Sequence, residues 1–458
     1  MYRLLIEKLR QWKREENRKP LLIRGARQVG KTYLVREFAK NEFDNFIEVN
    51  FEYERNICPI LNENLDPNFL LRYLSARFRT KITQNTLIFF DEIQECPNAL
   101  VLMRYFYEKR KDVFLIGAGS LLEFAIEKVG LPVGRIRSLY LYPLNFKEFL
   151  INKGYEQYID LLKENILNGR ISEPIHKDLL MFLSEYLTIG GMPEVVNSYI
   201  NNPDDFETIL RITEDIINGY RDDFPKYSKK SKIRYIDIVY ANTLLYIGKK
   251  YVYSNISREV KSREIKEALL LLEKAGVFYR VFHTSANGLP LGAEKNEKKF
   301  KVIFIDIGLM QSILGSDRSE WMKDIEQNFM LKGMIVENFV GAELISYENP
   351  YKKPELYYWN REKIIIENNQ RKKKKTNAEV DYLINLNNRI IPLEVKSGKK
   401  KYSGSLKIFL QEKKSDFGII LSTNNLEVYK NKSIINLPVY SVFLLNELYE
   451  TLIKLVKH

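Results

Sequence analysis

Residues 25 to 32 read Gly-Ala-Arg-Gln-Val-Gly-Lys-Thr, and no other stretch restricts the fold of this chain as strongly. The apolar run Pro20-Leu21-Leu22-Ile23 precedes it. Tyr33-Leu34-Val35-Arg36-Glu37-Phe38 follows, with apolar residues at helical spacing. A strand, a G-x-x-x-x-G-K-T turn and a helix in that order make a phosphate cradle. The glycines let backbone N–H groups curl around an anion, and the helix N-terminus adds its dipole. The expected ligand contacts are Gly25, Gln28, Val29, Gly30, Lys31, Thr32 and Tyr33. Lys31 pairs with the β and γ phosphates and Thr32 ligates Mg²⁺. An ordinary Gly-containing turn is the competing reading, and the flanking strand and helix weigh against it. The implied ligands are ATP or ADP with Mg²⁺.

Such a loop needs acids to organise the metal and the attacking water. Residues 87 to 92, Leu-Ile-Phe-Phe-Asp-Glu, supply them: four apolar residues predict a buried parallel strand that ends in two carboxylates. Asp91 is the expected Mg²⁺ partner and Glu92 the group that polarises water. A helix N-cap is the alternative for an acidic pair at a strand end. A further strand, Val113-Phe114-Leu115-Ile116, leads into Gly117-Ala118-Gly119-Ser120. Ser120 is a candidate γ-phosphate sensor, with a helix N-cap as its competing role.

At 458 residues the chain suits about three domains, at roughly 150 residues each. Its net charge of +13 and pI of about 9.2 favour anionic partners, nucleic acid first, with a Lys-rich solvated surface as the alternative. Two cysteines make no disulfide framework, and no Cys/His spacing suits zinc. The charged N-terminus does not read as a signal peptide, and no uncharged apolar run reaches about 18 residues. A cytoplasmic protein with no membrane segment is expected.

Gly25–Thr32, Asp91-Glu92-Ile93-Gln94, Pro132-Val133-Gly134-Arg135 and Tyr142-Pro143-Leu144-Asn145-Phe146-Lys147-Glu148-Phe149 together resemble a bacterial and archaeal family of STAND-like AAA+ ATPases with a C-terminal domain of uncharacterised role. The resemblance runs along nearly the whole chain. It implies an arginine finger at Arg135, acting in cis or from a neighbouring subunit of a homo-oligomer, with Arg137 as a substitute. A surface arginine in a turn is the plain alternative. The family's Gly-Ser-Ser after the sensor strand is Gly-Ala-Gly-Ser here, so only Ser120 matches it. The resemblance also places Thr188-Ile189-Gly190-Gly191-Met192-Pro193-Glu194 near the nucleotide. From residues alone that stretch is a helix–helix turn.

Residues 145 to 188 carry helical periodicity. Residues 230 to 284 fit a winged-helix unit: a helix over Ile233 to Ile247, a short strand at Tyr251-Val252-Tyr253-Ser254, and a helix from Arg263 to Lys274 stopped at Gly276. Wing strands follow at Val277–Phe282 and Phe300–Ile305. Leu269 to Leu272 leave the second helix little polar face, which favours packing on the ATPase over DNA reading. Asp306-Ile307-Gly308-Leu309 matches the family without an assignable chemical role.

The C-terminal third holds a second constellation. Ala378–Ile384 and Arg389–Lys396 predict two strands joined by Asn385-Leu386-Asn387-Asn388, which gathers Asp381, Glu394 and Lys396. Two carboxylates suit a metal and the lysine suits activation of water against a phosphodiester. This resembles the PD-(D/E)xK nuclease motif, and Glu337 on the upstream helix Leu331–Val340 matches the extra acid of that fold. The implied metal ligands are Asp381, Glu394 and Glu337. A cross-strand ion pair is the competing reading. The basic run Gln370-Arg371-Lys372-Lys373-Lys374-Lys375-Thr376 is expected as a loop near that site, and Tyr357-Tyr358-Trp359 as a core strand.

The expected architecture is α/β: a P-loop AAA+ parallel-sheet core (1–145), a helical lid (146–228), a winged-helix domain (229–318) and a restriction-endonuclease-like domain (319–458). The expected function couples ATP hydrolysis to DNA binding or cleavage. The alternative is an ATP-dependent switch or scaffold that binds nucleic acid or protein without cutting.

Overall fold

The computed structural model describes residues 1–130, 134–228, 230–318, 323, 333–366, 373–396 and 404–457. Its first layer is a parallel sheet of β1 (Leu21–Arg24), β2 (Asn45–Asn50), β3 (Thr86–Asp91), β4 (Phe114–Ala118) and β5 (Arg137–Tyr140), ordered β2-β3-β4-β1-β5. Every residue of β3 and β4 is buried, as expected for parallel strands covered by helices on both faces. The order inserts β4 between the strand that feeds the phosphate loop and the strand that ends in Asp91. The C-terminal ends of all three therefore meet at one edge, where ligands of open α/β sheets bind.

Helices Phe146–Asn152, Glu156–Leu167, Glu173–Ile189, Pro193–Asn201 and Phe206–Asp222 follow. The first opens with a capping box in which Asn145 and Glu148 satisfy each other's backbone N–H groups. The helices expected at 233–247 and 263–274 form as Ile233–Asn242, continued by a 3₁₀ turn to Tyr246, and Ser262–Lys274. The strand expected at Tyr251–Ser254 does not form. Tyr253–Ile256 is a single helical turn, and Tyr251 packs its ring on Phe300.

A second, eight-stranded sheet runs β12-β13-β11-β10-β9-β8-β6-β7. It contains β6 (Phe278–Thr284), β7 (Lys295–Phe304), β8 (Leu356–Ile366), β9 (Lys373–Leu386), β10 (Arg389–Val395), β11 (Gly418–Ser422), β12 (Glu427–Tyr429) and β13 (Ile434–Pro438). The hairpin read as a wing is part of this sheet, since β6 pairs in parallel with β8 through Val281–Leu356 and Phe282–Tyr357. The turn between β9 and β10 is two residues, Asn387-Asn388, tighter than the four expected. Both have positive φ (46° and 60°), which asparagine tolerates and a two-residue hairpin needs. Tyr358 and Trp359 are buried strand residues, as expected.

Lys373–Thr376, expected in a loop, belongs to β9 and pairs with Lys363–Ile366 of β8, because the hairpin extends well past its apolar part. Gln370–Lys372 lie outside the described residues, as do Leu331, Lys332, Pro132 and Val133. The two cysteines are joined: Cys58 and Cys96 form a disulfide with Cα atoms 5.6 Å apart, tying the helix Ile57–Glu63 to the segment after Glu92. Among the described residues no helix is long and apolar enough to cross a membrane.

Candidate nucleotide site and the C-terminal carboxylate cluster

The phosphate loop is shaped by backbone that side chains disfavour. Gly25 (φ 153°) and Gly30 (φ 92°) are left-handed or nearly so, and a Cβ on Gly25 would collide with the carbonyl oxygen of Leu141. Gln28 takes φ 61° between them. Lys31 starts the Lys31–Glu42 helix and is buried, its ammonium donating to the carbonyls of Gly25 (3.1 Å) and Ala26 (2.6 Å). Burial pulls its pKa down to about 8, against the opposing charges of Glu92 and Asp91. Thr32 Oγ1 donates to Asp91 Oδ2 at 3.0 Å, and Asn50 Nδ2 approaches the same oxygen at 3.3 Å. Burial, then the charge of Glu92, push the Asp91 carboxyl up to about 6, with the Thr32 bond opposing. A hydroxyl beside a carboxylate is a hard-oxygen donor pair that fits Mg²⁺.

Glu92 sits at φ 47° just past β3, and its Oε2 accepts from Gln94 Nε2 at 2.6 Å. Gln94 lies across the end of β4, where a Cβ on Gly119 would meet Gln94 Oε1. Gln94 Oε1 is buried without a hydrogen-bond partner. Ser120 follows in a cleft shared with Arg24, Gly25, Glu123 and Gly276. It does not cap the next helix, which begins at Leu122 without a side-chain cap.

Three contacts on the loop come from residues the sequence did not single out. Arg3, buried, donates to the carbonyls of Val29 (2.8 Å) and Tyr142 (2.5 Å) and pairs with Glu148 at 3.2 Å. Arg27 pairs with buried Asp223 at 2.5 Å, while Tyr220 donates to the Arg27 carbonyl at 2.8 Å, so the end of the Phe206–Asp222 helix grips the loop. The Met1 amino group bonds the Tyr33 hydroxyl. A lone arginine near a chain start carries no periodic signal, so only Arg27, inside the motif, was findable.

The Gly190–Pro193 turn lies beside this loop: Pro193 and the Arg3 guanidinium are the neighbours a Cβ on Gly30 would touch, each at 3.4 Å. The turn is held by Asp306, whose Oδ2 accepts from Gly191 N at 2.6 Å and whose Oδ1 accepts from Leu309 N at 2.9 Å. Gly308 packs its Cα against the Ile189 carbonyl, where a Cβ would not fit. Asp306-Ile307-Gly308-Leu309 therefore has a role, as the brace of the turn beside the phosphate loop. The Ser262–Lys274 helix also packs on the ATPase layer: Lys274 pairs with Glu127 at 2.5 Å, and a Cβ on Gly276 would come within 3.4 Å of Ala26.

Arg135 is not brought to its own chain's phosphate loop. Its guanidinium pairs with Glu108 at 3.2 Å and lies over Tyr107. Arg137 pairs with Glu15 at 2.6 Å.

In the C-terminal sheet the expected acids gather around a residue the sequence reading passed over. Lys301 of β7, 2% exposed, places its ammonium 2.6 Å from Glu379, 3.1 Å from Glu337 and 3.5 Å from Asp381. Burial pulls this ammonium down, and the three carboxylates more than reverse it, leaving its pKa raised. Burial pushes Glu337 up, with Lys301 opposing. The other Asp381 oxygen accepts from Val395 N at 2.9 Å. Glu394, buried, is paired with Lys396. The hairpin thus brings Asp381 beside the Glu394–Lys396 segment, and Glu337 to Asp381, but through an ammonium. Among the described residues no group of three or more His, Cys, Asp or Glu is arranged to hold a metal ion. A divalent cation does not fit this cluster as built. The signal was present: one lysine inside the apolar strand Phe300-Lys301-Val302-Ile303-Phe304-Ile305.

Residues 17–150 match the family model described as an AAA domain. Residues 182–320 and 332–441 match two models each described as a domain of unknown function (DUF8612 and DUF4143). No curated protein matches the chain. Solved structures similar to it include the Walker-type ATPase PABY2304 of Pyrococcus abyssi, at 16% identity and TM-score 0.43, over 68% of this chain and 94% of that one. The Aeropyrum pernix ORC1 protein in complex with DNA follows, at 14% identity and TM-score 0.23, over 69% and 90%. Cdc6p of Pyrobaculum aerophilum stands at 10% and 0.24, over 69% and 93%. The family match falls on the layer that carries Lys31, Thr32, Asp91 and Glu92: residues 17–150 form an AAA domain, and the chain is an ATPase built upon it.

Proposed function

We propose that ATP turnover in the AAA domain controls DNA binding by the C-terminal sheet. In the nucleotide site Lys31 engages phosphate and Thr32 and Asp91 hold Mg²⁺, which supplies charge neutralisation on the phosphates. Glu92, oriented by Gln94, takes the proton of the attacking water, and Ser120 reads the γ-phosphate. The route outward runs from the turn at Gly191 to Asp306 and into β7.

One observation carries the choice of DNA. Lys250, Lys299 and Lys413, from three separate segments, add positive charge around His283 of β6: burial lowers its pKa, the bond to the Asn360 carbonyl opposes, and the three lysines lower it further. Lys298, Lys299, Lys249 and Lys250 are exposed at this end of the sheet, where β7 is the edge strand. A basic sheet edge on a chain of net charge +13 is an electrostatic footprint for a phosphate backbone. Fluorescence anisotropy with labelled duplex and single-stranded DNA, in ATP and in ADP, is the test. Lys250→Glu and Lys299→Glu should weaken binding across all sequences and flatten its salt dependence. Equal, salt-insensitive binding by the variants sinks the assignment.

The nuclease resemblance is one of fold: with the Lys301 ammonium among Glu337, Glu379 and Asp381, cleavage by Asp381, Glu394 and Lys396 is left out of this proposal. The order helix, three antiparallel strands, helix and parallel strand over Gly333–Ser422 supports that resemblance. An arginine finger from a neighbouring subunit, through Arg135, belongs to the same set of proposals.

A further inference from the structure

The C-terminal carboxylates face a substitution that bears on what this domain does. Glu337 comes from the Gly333–Tyr347 helix and Glu379 and Asp381 from β9. Lys301 comes from β7, outside the stretch 332–441 that contains the acids. Its ammonium touches all three, is 2% exposed, and lies 5.3 Å from the Tyr358 ring. Glu337 is further confined by Gly248, where a Cβ would meet its carboxylate, and Tyr382 donates to the Glu337 carbonyl at 2.7 Å.

We infer that Lys301 is an internal cation that takes the place of a divalent metal, so that the C-terminal domain holds its carboxylates closed and does not cut phosphodiesters through a metal. A buried ammonium requires countercharge, and Lys301, in contact with the half-buried Glu337 and Asp381 and the exposed Glu379, is held in place by all three. Mg²⁺ demands near-octahedral oxygen ligands at about 2.0–2.1 Å. Carboxylates held at 2.6 to 3.5 Å around an ammonium are spaced for N–H donors, and a second cation among them meets direct repulsion from Lys301. The lysine of the E-x-K stretch does not relieve this, because Lys396 pairs with Glu394. Lys301 is also a joint. It pins β7 to the Gly333–Tyr347 helix and to β9. Asn338, next to Glu337, bonds both the N–H (2.6 Å) and the carbonyl (3.0 Å) of Phe304, two residues before the Asp306 brace.

The inference concerns metal content alone and holds whatever the partner of the basic edge. Mn²⁺ binding to the full nucleotide-free chain, followed by electron paramagnetic resonance, tests it. Wild type and Asp381→Asn should bind the same number of Mn²⁺ ions. Lys301→Gln should gain about one ion per chain, at least tenfold tighter than any binding at the cluster in wild type. The double variant Lys301→Gln/Asp381→Asn should lose that gain. Mn²⁺ bound by wild type and removed by Asp381→Asn overturns the inference, as does a folded Lys301→Gln that gains nothing. If Lys301→Gln fails to fold, the wild-type and Asp381→Asn comparison still decides. Plasmid cleavage by wild type in Mg²⁺ or Mn²⁺ that disappears in Asp381→Asn overturns it independently.

Discussion

Asp306 accepts the backbone N–H of Gly191 at 2.6 Å, and by this bond the end of β7 holds the turn that packs beside the phosphate loop. The carboxylate is buried and also accepts from Leu309 N. Asp306→Ala strands two buried N–H groups, at about 1–3 kcal/mol each. The thermal unfolding midpoint should drop by several degrees and nucleotide affinity should fall with it. Asp306→Asn keeps an acceptor and should lose less. An unchanged midpoint in Asp306→Ala would mean that the brace bears no strain.

Glu92 and Gln94 should separate in kinetics. Glu92→Gln retains nucleotide binding and loses turnover by about 10²–10⁴-fold, the usual contribution of a general base. Gln94→Ala removes the bond that orients Glu92 and should lower kcat by roughly tenfold at unaltered affinity. Steady-state turnover beside equilibrium nucleotide binding reads both, and equal turnover in Glu92→Gln and wild type removes Glu92 from the mechanism.

Lys31 gives nucleotide binding a pH dependence. Its pKa is lowered to about 8 in the free protein. Below that pH the ammonium is present when phosphate arrives. Above it a proton must be taken up on binding, so affinity falls as pH rises, by at most about tenfold per pH unit. Titration of a fluorescent ATP analogue from pH 7 to 9.5 should show the decline. Affinity that stays flat across this window counts against Lys31 as the phosphate partner.

Asp91 trades stability for function. Its carboxyl is raised to about 6 from 3.8. The folded state therefore binds the proton more tightly than the unfolded one, and stability of the free protein falls as pH rises from about 4 through 6. Asp91→Asn should stabilise the metal-free chain at pH 7 by up to about 3 kcal/mol, the free-energy equivalent of the shift, while abolishing Mg²⁺-dependent turnover. A destabilised Asp91→Asn would contradict this account.

Arg135 predicts concentration dependence. Paired with Glu108 on its own chain, it acts only on a neighbour's nucleotide if it acts in turnover at all. Turnover per chain should rise with protein concentration in wild type and stay flat in Arg135→Ala, with ATP affinity equal in both.

Local rules located the nucleotide apparatus well. The loop at 25–32, the strand ending at Asp91-Glu92 and the sensor strand before Ser120 each join a short apolar run to a polar terminus, and each formed within a residue or two of its expected place. What escaped was set by distance along the chain. Arg3, Asp223, Asp306 and Lys301 act on partners 26 to 196 residues away, and no periodicity reports such pairs. The short strand expected at Tyr251–Ser254 gave way to a turn because Tyr251 is claimed by Phe300 packing. The nuclease-like reading grouped Asp381 and Glu337 as metal ligands and missed the Lys301 ammonium that contacts both, because Lys301 came from a strand assigned to another domain.

The shared sheet carries a consequence for how such chains recombine in evolution. The two uncharacterised families meet near residue 320 to 332, yet β6 and β7 lie on one side of that seam and β8 on the other. A gene fusion that swapped the C-terminal part at the seam would deliver an unpaired β8 edge and three carboxylates without Lys301. The part from Gly333 to Ser422 therefore depends on β6 for its sheet neighbour and on Lys301 for the cation its carboxylates surround.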